Sequence, residues 1–162
     1  MFMKSIQSLC LIQSILMKTD LSNATFIIPI RIESDDRLRN VVTSIAFLVE
    51  NFDTNIIVKE VDKESVFQTE VLPIFEEILE VDLWKNFHHI FERSEEPLFH
   101  RQRVLNEMIA ECSTDIVVNY DCDVVLPMQS YKLAYDGIME GVYDVVYPYG
   151  SGMYQKQVAA TD

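Results

Sequence analysis

Apolar and polar positions change period several times along this chain, and the changes mark out strands and helices in alternation. Residues 25–30 (TFIIPI) form an unbroken apolar, β-branched run, the pattern of a strand covered on both faces. Ser34 then offers a helix N-cap, with Asp35 and Asp36 in the first turn, where the helix dipole favours acids. Leu38, Val41, Val42, Ile45, Leu48 and Val49 follow at helical spacing. Residues 55–61 (NIIVKEV) predict a second strand. Residues 66–79 predict a helix with Phe67, Val71, Ile74, Phe75 and Ile78 on its face; Pro73 either threatens it or begins it. A short strand over 89–92, a helix over 99–111, a strand over 114–120, a helix over 129–140 and a last short strand over 143–147 complete the pattern.

Strands alternating with helices of this length predict an α/β fold with a mostly parallel sheet. With 162 residues the chain is long enough for one well-packed domain, expected over residues 24–162. Residues 1–23 read as an amphipathic helix carrying Ile6, Leu9, Cys10, Leu16 and Met17, or as a partly disordered leader. The apolar stretch over 9–17 is too short to span a membrane, and no small-residue cleavage site follows it.

Charge narrows the function classes. Asp and Glu number 26 against 13 Lys and Arg, a formal net charge of -13. Nucleic-acid binding and adsorption to anionic membranes both need clustered basic residues, so both are excluded as partners. An anionic small ligand requires a local positive element or a bridging metal. The three cysteines, Cys10, Cys112 and Cys122, form no CxxC pair, which predicts no zinc site and a reducing, cytoplasmic setting. Glycine is scarce, and neither the P-loop nor the Gly-rich dinucleotide fingerprint is present.

In open α/β sheets ligands bind at the carboxyl ends of the strands. There this chain places Pro29, Ile30, Arg31 and Glu33 after the first strand, and Glu60 and Asp62 after the second. Asp121 and Asp123 follow the fourth, and Phe99, His100, Arg101 and Arg103 lead into the third helix. Paired acids can hold a hard divalent cation, arginines can pair with phosphate oxygens, and an aromatic face can stack on a base.

Four segments of this set resemble the nucleotide-binding half of a GT-A-fold glycosyltransferase, near the family 2 and beta-1,4-galactosyltransferase types. Ile27-Ile28-Pro29-Ile30-Arg31 is similar to the I-I-P-F-R segment that opens the sugar-nucleotide site. Phe99-His100-Arg101-Gln102-Arg103-Val104-Leu105-Asn106 is similar to F-N-R-A-K-L-L-N. Asp121-Cys122-Asp123 followed by Leu126-Pro127 resembles D-x-D followed by I-P, and residues 147–152 (YPYGSG) resemble the turn that lines the sugar pocket.

The resemblance implies a Rossmann-like GT-A sheet that binds a nucleotide-diphosphate sugar, with UDP favoured. Pro29, Ile30, Arg31, Glu33, Asp62, Phe99, Arg101 and Asp121 would contact the nucleotide, with Glu60 an alternate to Asp62. Tyr149, Gly150 and Gly152 would line the sugar, and Asp121 and Asp123 would ligate Mn²⁺ or Mg²⁺. Ile30 stands where the family has phenylalanine, and the family's D-D-G-S ending of the second strand is replaced. The family's acceptor-binding segment, with its W-G-x-G-x-E-D acid, has no counterpart before Asp162. The expectation is therefore a minimal glycosyltransferase-like protein with sugar transfer or slow donor hydrolysis, its general base unassigned. The alternative is a non-catalytic sugar-nucleotide module completed by a partner chain. An uncovered flank of such a half domain predicts a homodimer or a complex with another chain.

Overall fold

The computed structural model describes residues 18–78 and 85–148. Its centre is a four-stranded sheet in the order β3-β2-β1-β4, built from β1 (Thr19–Ile30), β2 (Phe52–Asp62), β3 (Phe87–Arg93) and β4 (Ile116–Asn119). Every pairing is parallel: Ile27 lies opposite Ile57 on one side and Asn119 on the other, and Val58 lies opposite His89. The expected α/β class with a mostly parallel sheet is what the chain forms, and the strand order is Rossmann-like.

β1 is the inner strand on which the rest is built. Phe26, Ile27, Ile28 and Ile30 are all at most 1 % exposed, as the unbroken apolar run demands of a strand with both faces covered. β1 starts at Thr19, inside the segment expected to be leader or helix. Its early part bulges between Asp20 and Thr25, and the freed carbonyls are taken by β2 side chains. Thr54 Oγ1 donates to Ala24 O at 3.0 Å, and Asn55 Nδ2 donates to Ser22 O at 3.0 Å.

Right-handed crossovers put α1 (Asp35–Asn51) and α2 (Leu72–Ile78) on one face and α3 (Arg101–Glu111) on the other. Ser34 caps α1, its Oγ accepting from Arg37 N at 3.3 Å, and Val41, Ile45, Leu48 and Val49 are the buried stripe that the helical spacing predicts. On the α3 face Ile27, Ile57 and Val61 pack with Val104, Leu105 and Met108, and Phe99, Ile90 and Cys112 close the edge of that cluster.

The helix expected over 66–79 is split. A single π-helical turn, Phe67–Val71, runs directly into α2, and Leu72 N–H reaches back to Phe67 O. Pro73 sits one residue into α2, where it lacks an N–H and its ring crowds the carbonyl four residues back; the widened turn just before it relieves that crowding. Glu60 anchors the turn from the neighbouring strand. Its carboxylate is fully buried and accepts from Ser65 Oγ (2.5 Å) and Phe67 N (3.1 Å), and His89 Nε2 stands 3.5 Å away. The His89 ring stacks on Phe67 at 4.3 Å between centroids. Burial would raise the Glu60 carboxyl, but the nearby His89 imidazole and the hydrogen bonds from Ser65 and the Phe67 N–H together outweigh it and hold the group below the usual carboxylate range.

The chain divides into two compact units between Val125 and Leu126. In the second unit α4 (Met128–Met139) carries an i,i+4 pair, Lys132 with Asp136, and Gly141 ends it with a φ of +68° that only glycine adopts freely. The strand expected over 143–147 does not form. Val142 N and Tyr143 N both donate to Gly137 O, at 3.0 and 3.1 Å, so this stretch begins as a wrap around the end of α4. A Cβ at Gly137 would stand 2.9 Å from Tyr143 Cδ2, so the glycine admits the ring. The apolar alternation there reported a side chain folded against a helix end rather than a ladder.

Glu60→Ala leaves the Ser65 hydroxyl and the Phe67 N–H without their acceptor inside the fold and removes the carboxylate beside the His89 imidazole. We expect a loss of about 3 kcal/mol in urea-induced unfolding at neutral pH. Because the folded Glu60 carboxyl is depressed, its contribution is full above the unfolded glutamate value of about 4.3 and disappears as pH falls through the lower folded value. The wild type should therefore lose stability on acidification below that range more steeply than the variant, as measured by denaturant midpoints at stepped pH.

Candidate functional site

The strand order reverses between β1 and β4, because the helices following β1 and β2 lie on one face and the helix preceding β4 lies on the other. A crevice opens at the carboxyl ends of the strands at such a reversal. Here it is a cavity of about 510 Å³ lined by Pro29, Ser34, Asp36, Arg37, Asn40, Phe99, Arg101, Asp121, Cys122 and Asp123. Pro29 suits its place. Ile27 O accepts from Tyr120 N at 3.1 Å, the last bond of the β1–β4 ladder, so the N–H that proline lacks falls on the same edge beyond the ladder's end.

The Asp121-Cys122-Asp123 turn is held from three sides. Ser44 Oγ, on α1, donates to Cys122 O at 2.5 Å. Tyr120 OH donates to Val124 O at 2.6 Å, and Val124 N to Asp121 O at 3.3 Å. The Cys122 side chain is buried, and the two flanking aspartates are exposed at the cavity. A buried residue between them thus turns both carboxylates outward. Burial pushes the Cys122 thiol up, with Asp123 and Asp121 adding to the rise and Arg37 opposing it. That leaves the thiol protonated and a poor nucleophile.

Arg101, at the first position of α3, reaches across to this turn. Its Nη2 donates to Asp121 Oδ1 at 2.5 Å and to Asn119 Oδ1 at 3.1 Å. Phe99 is half-buried, with its ring on the cavity wall. The first turn of α1 supplies further lining, and Arg37 there makes no ion pair among the described residues. Three carboxylates (Asp36, Asp121, Asp123) and two guanidiniums (Arg37, Arg101) face the space.

No family model, curated protein or solved structure matches the chain. The site therefore has to be read from its own geometry. Of the nucleotide contacts expected from the sequence, Pro29, Phe99, Arg101 and Asp121 meet at the cavity, and Asp123 joins them. Glu33 is exposed and is not among the lining residues. Asp62 stands at the end of β2, outside the cavity, its Oδ1 accepting from Lys63 N at 2.7 Å. Glu60 is fully buried beneath the π turn. Tyr149, Gly150 and Gly152 lie outside the described residues.

Ile30 and Arg31 belong to the interior. Ile30 is 0 % exposed, and Arg31 is 7 % exposed. Arg31 Nε donates to Val61 O at 2.8 Å and Nη1 to Pro97 O at 3.0 Å, while its guanidinium carbon lies 5.6 Å from the centre of the Phe99 ring. It ties the end of β2 to the loop that carries Phe99. Arg103 is likewise committed, to Glu92 at 2.7 Å and Glu107 at 2.8 Å, in a network that Lys59 completes. Hydrogen bonding to Arg103 lowers the Glu92 carboxyl, and hydrogen bonding to Lys59 lowers that of Glu107.

Ser34, Asp36, Arg37 and Asn40 also line the cavity, and the sequence marks this stretch only as a helix start, with Ser34 as its cap and Asp36 in the first turn.

Arg31→Ala should act on stability. The buried Val61 carbonyl and the carbonyl of exposed Pro97 lose their donor and the Phe99 ring loses its neighbour, an expected cost of about 2 kcal/mol in urea unfolding. Arg101→Ala, whose partner Asp121 is largely exposed, should stay within about 1 kcal/mol of wild type in the same measurement.

Proposed function

We propose that this chain binds a nucleotide-diphosphate sugar, UDP-linked for preference, at the β1/β4 crevice through a divalent cation, in the manner of the nucleotide-binding half of a GT-A glycosyltransferase. The observation that carries this reading is the convergence of the outward-turned Asp121–Asp123 pair, Arg101, Phe99 and the first turn of α1 on one cavity. Its charge pattern supports the same chemistry. Asp36 is paired with Arg39, but a diphosphate facing Asp121 and Asp123, of which only Asp121 is paired with a guanidinium among the described residues, needs added positive charge, and that carboxylate pair is where a cation would be held.

The donor set fits Mg²⁺ or Mn²⁺ of the substrate-bridged kind. Among the described residues no group of three or more His, Cys, Asp or Glu side chains is placed to enclose an ion. Mg²⁺ is commonly held by one or two carboxylates with substrate phosphates and water filling the remaining positions, and Asp121 and Asp123 supply that share. When bound, such a cation neutralises the charge that develops on a departing diphosphate. Arg37 and the N-terminal turn of α1 would bind phosphate oxygens, and Phe99 would offer its face to the base.

Sugar transfer and donor hydrolysis both begin with this binding event. A non-catalytic nucleotide-sugar module would use the same contacts.

Thermal shift with Mn²⁺ and UDP-glucose together should raise the melting temperature, and UDP-glucose with EDTA should not. Asp123→Asn should remove the metal-dependent part of the shift while leaving the ligand-free melting temperature within a degree or two. An unchanged shift in that variant would place the cation elsewhere.

A further inference from the structure

Asp121, one half of the carboxylate pair, already has a cationic partner. Arg101 Nη2 bonds both its Oδ1 (2.5 Å) and the Asn119 side-chain oxygen (3.1 Å), a two-acceptor clasp across the end of β4. Asp123, two residues on, forms no ion pair among the described residues. The clasped groups are accessible, with the Arg101 side chain 42 % exposed and that of Asp121 63 % exposed, so an entering ligand can reach them. The other guanidinium on the cavity, Arg37, comes from the first turn of α1 and touches neither aspartate through a hydrogen bond or ion pair among the described residues.

We propose that Arg101 is a latch that makes the site take a divalent cation and a diphosphate together and resist the cation alone. The proposal rests on the nucleotide-sugar reading above. A cation seated between Asp121 and Asp123 competes with the guanidinium for the same carboxylate. Released alone, Arg101 would give up a charge-assisted hydrogen bond and face the incoming cation with like charge. A diphosphate arriving with the cation offers the freed fork new acceptor oxygens on the same side of the cavity. Metal and diphosphate then favour one another through a residue that leaves the metal's carboxylate for the diphosphate, and the coupling is reciprocal. Asn119 contributes by holding the fork in place in the ligand-free protein, a positioning role.

The test is Mn²⁺ titration followed by electron paramagnetic resonance, with and without UDP, on the wild type and three variants. Arg101→Gln removes the latch. Asn119→Ala loosens it with no change of charge. Arg37→Gln removes a positive charge from the same cavity without touching Asp121. Arg101→Gln should tighten Mn²⁺ alone by about two- to fivefold, the range an exposed ion pair supports. In the presence of Mn²⁺ it should weaken UDP by about tenfold or more. Asn119→Ala should tighten Mn²⁺ alone in the same direction by a smaller factor, and Arg37→Gln should not tighten it comparably.

The opposed signs are the signature. A plain phosphate ligand would weaken UDP and leave Mn²⁺ alone unchanged, and a merely structural residue would weaken both. Unchanged Mn²⁺ binding in Arg101→Gln or Asn119→Ala overturns the latch, as does equal tightening in Arg37→Gln, which would reduce the effect to general charge. A wild type that binds neither Mn²⁺ nor UDP removes the nucleotide-sugar reading and the latch with it.

Discussion

Everything in the first unit depends on the burial of β1. It is hydrogen-bonded to β2 along one edge and to β4 along the other, and its apolar residues are sealed on both faces. A parallel inner strand of this kind must be covered by crossover helices on both sides. With right-handed connections, that requirement forces the helices to change face somewhere along the sheet. They change between β1 and β4, and the crevice follows from it. The cavity is thus a consequence of how the central strand is covered, and the loops after β1 and β4 reach it because they leave the sheet there.

Charge is the second constraint. The chain is strongly acidic, yet most of its basic side chains near the strand ends are committed. Lys59 and Arg103 are held by Glu92 and Glu107, and Arg31 by backbone carbonyls. What is left facing the cavity is Arg37 and Arg101, the latter engaged with an aspartate. An anion entering this space meets the Asp121 and Asp123 carboxylates, of which only Asp121 is paired with a guanidinium among the described residues.

Two residues with the chemistry of a binding site make contacts that hold the fold. Glu60 ends up beneath a helical turn that Pro73 has distorted, where a buried carboxylate with hydrogen-bond donors around it fixes the start of the π turn. Arg31 reaches under the Phe99 loop and joins it to β2. Neither contact is between neighbours in sequence. Arg31 is thirty residues from Val61 and sixty-six from Pro97. Only the pairing of β1 with β2, together with the placing of the loop between β3 and α3, brings those carbonyls within reach of one side chain.

The sequence alone determined the class of fold, because periodicity and β-branched runs report which faces are buried, and that property is local. It also placed the Ser34 cap, the inner-strand character of residues 26–30 and the gathering of Asp121, Asp123, Phe99 and Arg101 at strand ends. The tertiary structure decided what those residues face. Direction at a strand end depends on the next strand's register and on which face the following helix takes. So Ile30 and Arg31 turned inward, Asp62 fell outside the crevice, and the first turn of α1 supplied a wall that capping rules described only as a helix start. The segment 143–147 shows the same limit in another form. Its alternation fits a strand, but a strand needs a partner, and two N–H groups at its start had already found the carbonyl of Gly137.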